Sequence, residues 1–99
     1  MRKGRPRKVR VVRQEPRIRQ FSPRGKRGRP DHIQLKYEEL EAIRLADYVG
    51  LNQSESADFM GISQQTFSRV LKNARRNAAE GLVKGKIIKV LGGDFKIDR

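Results

Sequence analysis

Residues 51–72 read LNQSESADFMGISQQTFSRVLK. The stretch has the pattern of a helix, a tight turn and a second helix. Gly61 falls at the turn, where a residue linking two steeply angled helices often takes a positive φ that glycine adopts freely. Ala57 lies four residues earlier, where the helices should come closest and a larger side chain would hold them apart. Ile62, Phe67 and Val70 supply the apolar contacts that close the pair. Capping signals agree with this frame. Asn52 can accept from the first free N–H groups of the leading helix, and Glu55 can reach back to the Asn52 N–H as a capping box. Ser63 repeats the N-cap role for the next helix, with Ile62 and Phe67 spaced as a hydrophobic staple.

The second helix of the pair sorts its side chains sharply. At about 100° per residue, Phe67, Val70, Leu71, Ala74 and Ala78 share one face. Gln65, Arg69, Lys72 and Arg76 lie nearly opposite. Any amphipathic helix has a solvated polar face, but this one carries cations and amides and no acid until Glu80. From Ser63 to Glu80 the net charge is +3, whereas from Lys36 to Gly61 it is −4. Charge is sorted by element, as a helix meeting a polyanion requires.

The chemistry of that face suits base edges. Gln pairs with adenine N6 and N7, and Arg with guanine O6 and N7, both in bidentate geometry. Gln64, Gln65, Ser68 and Arg69 lie in the first half of the helix and are the expected base readers. Lys72, Arg75 and Arg76 lie further along and suit phosphates. Ser63, at the N-terminus with its free N–H groups, joins them as a phosphate ligand.

Composition fits a polyanionic partner. The 99 residues carry a formal charge of +13. They are enough for one small domain with a limited core. No run approaches the roughly eighteen apolar residues of a membrane span, and no secretory apolar segment follows Met1. Cysteine is absent, which removes disulfides and the usual zinc fingers. Cytoplasmic residence, where a prokaryote keeps its DNA, is the expectation.

Residues 1–30 hold thirteen Lys and Arg against one acid, Glu15, for a net of +12, and residues 31–99 only +1. The first segment reads as a basic, partly flexible arm and the second as a DNA-binding domain. Val9, Val11 and Ile18 alternate with arginines, pointing to short strands around 8–12 and 17–21. Arg24 to Pro30 reads as a linker. Arg27-Gly28-Arg29-Pro30 matches the core of an AT-hook, and Lys3-Gly4-Arg5-Pro6 nearly does. In that motif a slim arginine segment enters the narrow minor groove of A·T-rich DNA, which makes Arg5, Arg27 and Arg29 minor-groove candidates. A short match in an Arg-rich background also arises by chance; attraction to phosphates is the simpler role.

A first helix is expected from about Tyr37 to Tyr48. Glu38, Glu39 and Glu41 favour its N-terminal dipole. Leu40, Ala42, Ile43, Leu45, Ala46, Tyr48 and Val49 run more than halfway round, implying packing on several sides, and Gly50 is a fitting stop. After the third helix, Gly81 and Gly85 bracket Leu82-Val83-Lys84. Lys86 to Leu91 reads as a strand, Gly92-Gly93 as a turn, and Asp94 to Ile97 as a short returning strand. This tail would serve as a wing on DNA, as a dimerisation edge or, most simply, as a cover for the core.

Nothing in the chain points to an enzyme. His32 is the sole histidine, with no nucleophile or metal-ligand set around it in sequence. Asp94 and Asp98, near Lys89 and Lys96, read as turn residues. Walker and dinucleotide glycine motifs are absent, and no metal or cofactor is expected.

Four segments carry a family resemblance: Glu38-Glu39-Leu40-Glu41-Ala42-Ile43-Arg44-Leu45, Gly50 to Ala57, Met60 to Leu71, and Ala74-Arg75-Arg76. The glycine-rich end from Gly85-Lys86 to Gly92-Gly93 adds to them. On these residues the chain resembles the domain of unknown function 134 family (uncharacterised protein family 0251), small bacterial and archaeal proteins predicted to bind DNA. The helical part is also similar to region 4 of sigma-70-type factors, which implies a helix-turn-helix preceded by a packing helix. Two residues depart from the pattern. Lys36 stands where a small capping residue is usual, leaving the start of the first helix open to fraying. Ser56 replaces a commoner apolar residue.

The expected fold is mainly α: a three-helix core containing a helix-turn-helix, with short β-strands near both termini. The expected function is sequence-specific double-stranded DNA binding by a transcriptional regulator, as monomer or homodimer. The alternatives are a non-specific nucleoid-associated or RNA-binding protein and an adaptor contacting the transcription machinery. No small-molecule effector can be named from the sequence.

Overall fold

The start signals read at Asn52 and Ser63 form as hydrogen bonds. In the computed structural model, which describes residues 9–25 and 28–97, the Asn52 side chain accepts from Glu55 N–H at 2.8 Å and Glu55 Oε1 accepts from Asn52 N–H at 3.1 Å. That box opens helix α2 (Gln53–Met60). Gly61 takes φ +66° and ends it, its N–H bonded to the Ala57 and Asp58 carbonyls. Ser63 Oγ accepts from Thr66 N–H at 3.1 Å and opens α3 (Gln64–Lys84). Ile62 and Phe67 are both buried, as a staple requires.

Helix α1 (Tyr37–Ile43) runs on into a π-helical turn, Arg44–Val49. There the Gly50 N–H reaches the Leu45 carbonyl at 3.1 Å. The wider spacing shifts the phase of the last residues. Tyr48 and Val49, expected to pack, are therefore exposed. The start of α1 is not frayed. Glu39 Oε1 accepts from Lys36 N–H at 2.9 Å, and Tyr37 N–H donates to the Gly92 carbonyl at 3.1 Å. Tyr37 stacks on Phe95 with ring centroids 4.4 Å apart. A distant loop supplies what the local cap lacks.

Helix α3 is longer than its glycines suggest, reaching Lys84 and ending at left-handed Gly85. Gly81 lies inside the helix because a strand passes over it. A Cβ there would collide with Ile88 Cγ1. The 21 residues of the helix span roughly 30 Å.

Five short strands complete the fold: β1 (Arg10–Val12), β2 (Gln20–Phe21), β3 (His32–Leu35), β4 (Ile87–Val90) and β5 (Phe95–Ile97). Strand β4 is central in one sheet, antiparallel to β2 and parallel to β3, with Ile33 opposite Ile88. The final strand forms but does not fold back on β4; it pairs in parallel with β1, Val11 opposite Lys96. Its hairpin is precluded by the partner it finds: β1 lies across α1 and α2, and the Arg10 N–H holds the Asp94 carbonyl at 3.1 Å. Residues 10–12 and 20–21 of the basic first segment thus stand in the sheets, and Val12 is fully buried. Arg24, Gly25 and Gly28 to Pro30 form neither helix nor strand.

Two apolar clusters hold these elements together. One joins α1, the π turn, α2 and the first half of α3 through Ala42, Leu45, Ala57, Met60, Phe67 and Leu71. The other sets Leu35 and Val90 of the sheet against Ala74 of α3. The C-terminal tail therefore covers the core. Among the described residues no helix is long and apolar enough to cross a membrane.

Candidate nucleic-acid interface

The apolar residues of α3 face inward, so the opposite face is left to solvent. Gln64, Gln65, Ser68 and Arg69, the expected base readers, are all exposed and together line one open depression of about 420 Å³. Lys72 and Arg76 continue the same stripe for two more turns and are exposed, with no ion pair among the described residues. The structure thus brings six of the eight expected α3-face residues into one row. The helix is held from behind: Phe67 and Leu71 are clamped by α1 and α2, so the row sits on a rigid element rather than a loop.

The other two expected residues are engaged elsewhere. Ser63 holds its own helix cap. Arg75 turns away from the row toward the π turn, where its guanidinium meets Asp47 at 2.6 and 3.1 Å. That bidentate hydrogen bond raises the Arg75 pKa and lowers that of Asp47. Ser68 also leans back, its hydroxyl bonded to Gln53 of α2. Of the arm candidates, Arg29 is exposed, while Arg5 and Arg27 lie outside the described residues.

The other flank of α3 borders a polar cleft of about 580 Å³. Its walls are Arg10 of β1 and Lys36 before α1 on one side, and Ser63, Thr66, Arg69 and Asn73 on the other. Glu38 and Glu39, both buried, also line it. Sequence reasoning missed this feature. Arg10 is indistinguishable among thirteen cations in residues 1–30, and only the unusual Lys36 at a cap position gave a signal.

The acids of α1 do more than favour a helix dipole. Glu41 is buried; its carboxylate takes the Arg44 guanidinium at 2.8 and 2.9 Å and the Arg13 N–H at 2.9 Å. The pair raises the Arg44 pKa, chiefly through its hydrogen bond to Glu41. Arg13 also donates to the Phe59 carbonyl at 3.0 Å and lies over the Phe59 ring. At the far end of α3, Lys86 pairs with Glu80 at 2.6 Å, lowering the Glu80 pKa. Among the described residues no group of three or more His, Cys, Asp or Glu is placed to hold a metal ion.

These elements define a three-helix, helix-turn-helix domain stitched by two small sheets. The chain belongs to the family described as protein of unknown function DUF134, whose model matches residues 1–98. It is 43% identical over 97 residues to a UPF0251 protein of Methanococcus maripaludis strain C5, covering 97% of this chain and 75% of that one. A UPF0251 protein of Thermoanaerobacter sp. strain X514 is 47% identical over 94 residues, covering 94% of this chain and 83% of its own. One of Caldicellulosiruptor bescii is 50% identical over 92 residues, covering 91% and 64%. No solved structure matches.

Proposed function

We propose that this chain binds double-stranded DNA with sequence preference and acts as a cytoplasmic transcriptional regulator, α3 entering the major groove. The observation that carries the reading is the row on α3: two amides and an arginine in one open depression, followed by Lys72 and Arg76. Amides and guanidinium are the groups that pair bidentately with purine edges. The cations further along the same exposed face are of the kind that hold phosphates. The basic first segment adds a sequence-independent attraction.

Selection of bound sites from random duplexes, with the full chain, tests this. A defined motif is expected. Arg69→Ala should relax the preference at particular positions, losing ~1–3 kcal/mol. Lys72→Ala should weaken all duplexes alike and lower the salt slope by about 0.9. Selection that returns no motif would favour the nucleoid or RNA reading. Absence of any duplex affinity would favour the adaptor.

A further inference from the structure

We infer that the cleft between the start of α1 and α3 is a phosphate site: it takes one sugar–phosphate strand of the duplex whose bases α3 reads. The inference rests on that DNA-binding reading and extends it to a site built from three separate parts of the chain.

A helix with its side chains is about 10–12 Å across and the major groove about 12 Å wide. A helix lying in the groove therefore has a phosphate strand along each flank. The two flanks of α3 are not alike. Toward α2 and the π turn, the Ser68 hydroxyl is bonded to Gln53, and Arg75 is held by Asp47, whose charge opposes a phosphate. Toward α1, the cleft collects Arg10, Lys36 and Arg69, with the hydroxyls of Ser63 and Thr66 and the amide of Asn73 between them. Arg69 stands at the shared rim of cleft and reading depression, so a strand seated here would lie directly beside the bases that α3 meets.

The two carboxylates lining the cleft set how deep an anion goes. Both are buried and already serve the fold. Glu39 Oε1 accepts from Lys36 N–H at 2.9 Å and from Asn77 Nδ2 at 3.4 Å, and Glu38 Oε2 accepts from Asp94 N–H at 3.3 Å. Their charge repels an anion from the interior and leaves it at the rim, where the lining residues Lys36 and Arg69 are exposed. That arrangement suits a strand passing across the mouth rather than a small anion enclosed within.

Methylphosphonate interference tests the site. The full chain is bound to its selected duplex with one phosphate at a time replaced by a neutral linkage, on both strands. Neutral linkages on the strand beside the first turns of α3 should weaken the parent. In Arg10→Ala and in Lys36→Ala the same linkages should lose their effect. Each variant should also bind preferred and random duplexes more weakly by the same factor, with a salt slope lower by about 0.9 for each phosphate no longer neutralised. Lys36→Arg should keep the parent pattern. Should Arg10→Ala fail to fold, exposed Lys36 carries the test alone. If Lys36→Ala melts like the parent and retains its slope and interference pattern, the cleft assignment is overturned while the α3 reading stands. A parent with no affinity for any duplex overturns both.

Discussion

In α1 the acids Glu38, Glu39 and Glu41 are 4%, 5% and 2% exposed, and their oxygens meet backbone N–H groups, an amide and a guanidinium. In α3 the cations Arg69, Lys72 and Arg76 are exposed and make no ion pair among the described residues. By composition the two helices are mirror images, each carrying a run of like charge. Their charges do opposite work. Those of α1 bind the first segment and the C-terminal loop to the helix bundle. Those of α3 are left available for something outside the molecule. Burying a carboxylate is costly unless it is hydrogen-bonded or paired. Glu39 and Glu41 are so held, and Glu38 is held through Oε2 alone, its Oε1 having no hydrogen-bond partner among the described residues. Surface cations held apart from one another cost little and wait for a partner.

The contrast can be broken most severely at Glu41. Glu41→Ala should remove about 3 kcal/mol, toward the low end for a buried pair because the Arg44 side chain is 26% exposed and can turn to water. For a chain of this size that is a fall in melting temperature on the order of 15 °C. A melt within about 2 °C of the parent would show that Glu41 is not holding Arg13 and Arg44 to the core.

Glu39→Ala should cost less, on the order of 1 kcal/mol, through loss of the reach-back bond to Lys36. Because the Gly92 carbonyl still holds Tyr37 N–H, α1 should keep its start. Hydrogen exchange checks this: accelerated exchange confined to the first turn is expected, and unchanged protection there would refute the capping role.

The smallest effect belongs to Asp47. Its pair with Arg75 is well exposed at 40% and 54%, so Asp47→Ala should cost well under 1 kcal/mol. The hydrogen bond from Arg75 holds the Asp47 pKa below its ordinary value. Its contribution is therefore present above the unfolded carboxylate pKa and lost as pH falls through the lower folded one. Parent and variant should differ slightly at neutral pH and converge in strong acid. A gap that widens on acidification would contradict the pairing.

Much of this molecule is legible in residues 51–80. Local rules suffice there: caps reach three residues, the apolar stripe repeats along one helix, and a positive φ at Gly61 is a single-residue property. The depression lined by Gln64, Gln65, Ser68 and Arg69 follows from the same periodicity, since residues sharing a helix face remain together once the other face is buried. The misreadings fall where the deciding partner lies on another element. Gly81 looked like a helix end because nothing nearby shows that Ile88 will pack on it. Lys36 looked like a poor cap because Gly92 and Phe95 lie more than fifty residues on. Ser56, whose hydroxyl is buried with no hydrogen-bond partner among the described residues, is a departure noticed in the sequence for which the structure supplies no compensation.

By itself, the sequence determined three helices, their order, the turn at Gly61 and which face of α3 meets solvent, because each depends on interactions within a few residues. It also marked four of the five strands, at 8–12, 17–21, 86–91 and 94–97, but not β3, whose pairing with β4 is a long-range contact. Tertiary structure alone decided which strands pair: that β1 joins β5 in parallel and that β4 lies between β2 and β3. It decided that Arg75 is spent on Asp47, and that Arg10 and Lys36 come to stand beside Arg69. Such juxtapositions are set by how the apolar faces of distant elements pack together. Every Arg and Lys of a +13 chain looks alike until that packing has chosen its neighbours.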